Sequence, residues 1–99
     1  MQRKKEFPAS ELAMRVLLLL QERSQSDPQF LIADVVDVVM DKFDVSRGTA
    51  YRHLHVALKV LEIDYDASHP ARQVRLYDRQ IASLQEAKRQ VRQSIRTQA

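Results

Sequence analysis

Apolar and polar positions recur along this chain with two different periods, and the change of period divides it. Leu12, Ala13, Val16, Leu17, Leu19 and Leu20 return at helical intervals and predict an amphipathic helix running through about Arg23. Phe7-Pro8-Ala9-Ser10-Glu11 marks its start, with proline, serine and glutamate in the first-turn region. Ser24-Gln25-Ser26-Asp27-Pro28 interrupts the pattern, and Asp27 before Pro28 predicts the cap and first turn of a second helix over 28–43. There Ile32, Val35, Val36, Val39, Met40 and Phe43 gather on one side of a helical wheel. Asp34, Asp37, Asp41 and Asp44 form a narrow stripe on the other. The valines favour a strand, but spacings of three and four rather than two decide for helix. Asp44-Val45-Ser46 makes a short turn. A third helix over 46–61, capped by Ser46 or Thr49, puts Ala50, Leu54, Ala57, Leu58 and Leu61 on one face.

Past Leu61 the period shortens to two. Ile63 and Tyr65 alternate with Asp64 and Asp66, and Val74 and Leu76 alternate with Arg75 and Tyr77. With Ala67-Ser68-His69-Pro70-Ala71 between them, these runs predict a two-stranded hairpin over 63–77. Asp78 then caps a last helix from Arg79 to about Thr97. Its seam of Ile81, Leu84, Lys88, Val91 and Ile95 follows the a/d pattern of a coiled coil, with Lys88 at an a position. The predicted fold is mainly α with a small β-hairpin. Residues 1–7 form a basic arm, 8–77 the domain, and 78–99 a dimerisation helix.

Composition narrows what such a fold can do. Ninety-nine residues, 44% of them apolar, support one modest core without a deep substrate cavity. The chain has no cysteine, which excludes disulfides and thiolate metal sites. His53 and His55 diverge by about 200° on a helix, so they do not form a metal pair. No nucleophile–base pattern, phosphate loop or metal spacing is present, so we expect no catalytic residue, no metal, no cofactor and no enzyme activity. The longest apolar run, VLLLL, is far too short for a bilayer, and the amino-terminal residues lack a signal-peptide pattern. A cytoplasmic protein with no membrane partner is expected.

The formal charge of +3 is unevenly spread. Residues 27–44 hold five aspartates against Lys42, whereas residues 45–61 hold Arg47, Arg52 and Lys59 with no acid. Opposite the core side of the third helix lie Gly48, Arg52, His55, Val56 and Lys59, with Thr49 at the edge and Arg47 in the first turn. That is the composition of a face that reads a major groove: arginine pairs with guanine and lysine holds phosphate. Ser46, Thr49 and the first-turn amides suit a phosphate oxygen. Gly48, the chain's single glycine, lets the backbone approach DNA closely, relieves crowding against the preceding helix, or belongs to the turn.

The stretch V-S-R-G-T-A-Y-R-H-L, Val45 to Leu54, resembles the turn and recognition helix of winged helix-turn-helix DNA-binding regulators. The resemblance covers roughly residues 8–77 and implies three helices and a wing. On it, the hairpin becomes a wing whose Arg72 and Arg75 touch flanking DNA. Asp44 stands where such turns often carry glycine, and the aspartate stripe departs further, since it would repel phosphate. Together these readings predict sequence-specific binding of double-stranded DNA by a small homodimeric transcription regulator, a repressor. The dimer forms through Ile81, Leu84, Lys88, Val91 and Ile95, with an antiparallel pairing suiting the flanking arginines better. The alternative is a protein-binding adaptor or inhibitor of phage or plasmid type, whose partner docks on Asp34, Asp37, Asp41 and Asp44.

Overall fold

The computed structural model describes residues 9–98. Four helices account for its regular structure: α1 (Ala9–Ser26), α2 (Ile32–Phe43), α3 (Arg47–Val60) and α4 (Pro70–Gln98). The chain divides after Asp66 into two compact units. The expected basic arm, residues 1–7, lies outside the described residues.

In the first unit, α1, α2 and α3 close around one core. Leu12, Val16 and Leu20 come from α1, Val35, Val36, Val39 and Phe43 from α2, and Ala50, Leu54 and Ala57 from α3. Val16, Leu20, Val35, Val36, Val39 and Leu54 are wholly buried, and side chains of this kind contribute about 1.5–3 kcal/mol each on burial. Small Ala50 and Ala57 on α3 let the helices approach closely. The helical period thus found most of this core, but Ala13, expected on the apolar face of α1, is exposed, and buried Phe30 and Leu31 lie just outside the expected pattern.

The start of α2 differs from expectation. Asp27 and Pro28 do not begin it. They sit in a turn where the Phe30 amide donates to the Asp27 carbonyl (3.1 Å), and the helix starts at Ile32. Leu31, at the cap, offers no side-chain acceptor. The Ile32 amide instead donates to the Tyr65 hydroxyl, 33 residues away, at 3.0 Å. Phe30 packs on the Tyr65 ring with centroids 5.4 Å apart. α2 ends at Asp44 in the left-handed conformation (φ 52°), which the short turn to α3 requires.

The expected β-hairpin does not form: among the described residues there is no strand, and the wing over 63–77 is overturned. The alternation of Ile63 and Tyr65 with Asp64 and Asp66 is real, but its cause is different. An irregular segment lays Ile63 and Tyr65 against the helical core, with Asp64 and Asp66 exposed. The other half of the supposed hairpin belongs to α4. Pro70 takes the first helical position, where its missing N–H costs nothing. His69 caps it: Nδ1 accepts from the Ala71 amide (3.1 Å), and its carbonyl accepts from Arg72 (2.9 Å) and Gln73 (3.0 Å). Asp78 is therefore an interior residue of α4 and not its cap. Residues 71–76 hold Ala, Arg, Gln and Leu, good helix formers, against Val74 alone, so propensity and capping agree.

The second unit is dominated by α4. Every residue from Gln80 to Gln98 is exposed. Among the described residues no helix is long and apolar enough to cross a membrane.

Candidate nucleic-acid interface

The expected reading face is one side of α3, and its geometry starts at the cap. Ser46 has extended backbone, and its Oγ accepts the Thr49 amide at 3.2 Å while donating to Thr49 Oγ1 at 3.0 Å. Thr49 Oγ1 also accepts from an Arg52 guanidinium nitrogen at 3.1 Å. Ser46, Thr49 and Arg52 are thus strung one turn apart along a ridge, with Ser46 and Arg52 exposed and Thr49 half-buried. This bond fixes part of the Arg52 fork and leaves its other N–H groups to a ligand.

Gly48 lies on the same ridge, exposed and in regular helix. A methyl group built onto it would meet nothing within 4 Å, and its φ is not positive. Crowding and turn geometry therefore do not explain the glycine. Further along, His55 and Lys59 are exposed, and His55 stacks on Tyr51 (centroids 6.1 Å, 26° between planes). α3 carries no acidic residue.

Arg47 is placed differently. Its guanidinium lies 3.6 Å from the Asp37 carboxylate, both about half exposed. This pair links the aspartate stripe of α2 to the first turn of α3. So the stripe does not lie wholly away from the basic ridge, as a DNA-binding face would prefer. Asp41 and Asp44 are exposed, and Asp34 and Asp37 half-buried.

The two wing arginines lose their expected setting with the wing. Arg72 is 5% exposed in the first turn of α4, and Arg75 lies on the surface of the same helix. The expected seam residues Ile81, Leu84, Lys88, Val91 and Ile95 are all exposed on α4. The stripe is longer than its expected five positions. Val74 and Tyr77, each 59% exposed, extend it by another heptad toward the helix start. Counting back from Ile81 by four and three would have found them, but the expected hairpin occupied that stretch. A second feature was missed entirely. Met14, Leu17, Val56, Ala57 and Val60 line an apolar groove of about 390 Å³ between α1 and α3. Val56 therefore belongs to this groove more than to the polar ridge.

Among the described residues no cluster of three or more histidine or carboxylate side chains is placed to hold a metal. Compared with family models, with characterised proteins and with solved structures, the chain shows no significant match to any of them.

Proposed function

We propose that this protein binds double-stranded DNA through α3 as a small dimeric cytoplasmic regulator of transcription, a repressor by occupancy of its site. The observation that carries the reading is the Ser46–Thr49–Arg52 ridge. It presents an exposed, pre-oriented arginine on an acid-free helix, beside a glycine that nothing inside the chain requires. A helix, a three-residue turn and a second helix is the arrangement in which the second helix enters a major groove. Arg52 takes the role of base reader, and Lys59 and the Thr49 hydroxyl the role of phosphate holders. Contacts by a wing are no part of this reading.

A second reading is favoured by the Asp37–Arg47 pair, which joins the aspartate stripe to the edge of the ridge. On it, the stripe docks a basic protein partner. One experiment separates the two: duplex binding measured across a range of salt for the wild type, Lys59→Ala, and a variant with Asp34, Asp37, Asp41 and Asp44 changed to asparagine. DNA binding predicts that Lys59→Ala flattens the plot of log affinity against log salt by about one unit of slope. It also predicts tighter binding by the asparagine variant, because four repulsive charges are gone. Duplex affinity too weak to measure at low salt would sink the DNA reading and leave the acidic stripe as the functional surface.

A further inference from the structure

Residues 74–98 of α4 carry a heptad repeat that is apolar at every a and d position except Lys88 and Gln98. Val74, Ile81, Lys88 and Ile95 occupy a positions, and Tyr77, Leu84, Val91 and Gln98 occupy d positions. All eight are exposed, with Leu84 at 70%. A stripe of six apolar side chains on one narrow face of a helix, in strict register, is built to meet another helix. We infer that α4 pairs with α4 of a second copy in antiparallel orientation, in the one register that places Tyr77 against the partner's Ile95. The inference rests on the dimeric part of the reading above and not on DNA binding.

Charge and register select this arrangement from its competitors. A parallel pair sets every a residue against itself, bringing Lys88 against the partner's Lys88 inside the seam. An antiparallel pair sets a against d. In the register named, Ile81 meets the partner's Val91, and Lys88 meets the partner's Leu84, along which its aliphatic stem can lie while the ammonium reaches water. The flanking e positions are Asp78, Gln85 and Arg92. Antiparallel pairing puts e opposite e, so Asp78 faces the partner's Arg92 at both ends and Gln85 faces the partner's Gln85 at the middle. Asp78 and Arg92 are exposed, and among the described residues neither is in an ion pair. Sliding the helices by one heptad in one direction sets Ile95 against the partner's Pro70 and Asp78 against the partner's Gln85. Sliding in the other sets Gln85 against the partner's Arg92 and so gives up the Asp78–Arg92 pair. Arg89 and Arg96, at b positions, point away from the seam in either case, and Arg89 pairs with Glu86 of its own helix.

The chain's lack of cysteine makes a direct test simple. Sedimentation equilibrium of the full chain gives the oligomeric state. Tyr77→Cys and Ile95→Cys proteins are then oxidised separately and as a mixture. The antiparallel register predicts a disulfide-linked dimer from the mixture and none from either protein alone, because like positions lie about 27 Å apart at 1.5 Å per residue. Disulfide dimers from each protein alone would show a parallel pair and overturn the proposal while keeping the dimer. A wild-type monomer at micromolar concentration would overturn the dimer itself. Charge reversal gives an independent check that leaves the seam intact. Asp78→Arg and Arg92→Asp are each expected to weaken dimerisation by roughly five- to tenfold, and the double variant to recover to within about twofold. Loss that simply adds in the double variant would contradict the pairing.

Discussion

Gly48 stands where helix propensity alone would favour almost any other residue. In regular helix, with open space where a side chain would go, it forgoes the helix propensity that alanine would bring. Gly48→Ala is therefore expected to raise stability by about 0.5 kcal/mol, read from the denaturation midpoint. If the glycine lets DNA approach, the same change weakens duplex binding by roughly tenfold, or about 1.4 kcal/mol. Stability and affinity then move in opposite directions, an outcome the crowding explanation does not produce. Unchanged affinity would remove Gly48 from the interface. Arg52 gains its place by another route. The Thr49 hydroxyl that orients it is itself held by Ser46, so the position of the guanidinium traces back to the helix cap.

At the scale of elements, the ends of helices decided more than their middles. α3 stops because the Ile63 amide reaches the Leu58 carbonyl (3.0 Å) and the Glu62 amide reaches the Lys59 carbonyl (3.1 Å), with Glu62 in the left-handed conformation at φ 54°. Glycine normally fills that place. Glu62→Gly should stabilise the fold by about 1 kcal/mol in a denaturant titration. A loss of stability would mean that the glutamate makes a compensating contact. The three core helices were legible because their apolar residues recur at three and four and because each face is covered. The region from Ile63 to Tyr77 was not. Two residues of genuine alternation, Ile63 and Tyr65, come from an irregular segment lying on the core. Val74 and Leu76 repeat that pattern by chance inside a helix. His69 and Pro70, expected at a loop tip, form the cap and first turn of α4. The Tyr65 hydroxyl at the start of α2 had no local signal at all, because it acts across 33 residues. At the candidate interface, the polar ridge of α3 could be read from spacing, but the Asp37–Arg47 pair depends on how two helices pack. Arg72, expected on a wing, is buried in the first turn of α4.

The whole molecule consists of two units, one with a closed three-helix core and a basic ridge, the other with a long helix carrying an uncovered heptad stripe. In the proposed function the first unit meets DNA and the second joins two copies. A twofold-symmetric dimer presents two ridges, and its site should carry two related half-sites in inverted order. Loss of the wing narrows the expected footprint and places the burden of specificity on α3. The most direct measurement is selection from random duplex DNA at physiological salt, run in parallel on the wild type and Arg52→Ala. The account predicts an enriched inverted repeat for the wild type, and for the variant a motif relaxed at the base Arg52 reads, with affinity lower by about 1–3 kcal/mol. No enriched motif for the wild type, or the same motif with the same affinity for Arg52→Ala, would contradict it.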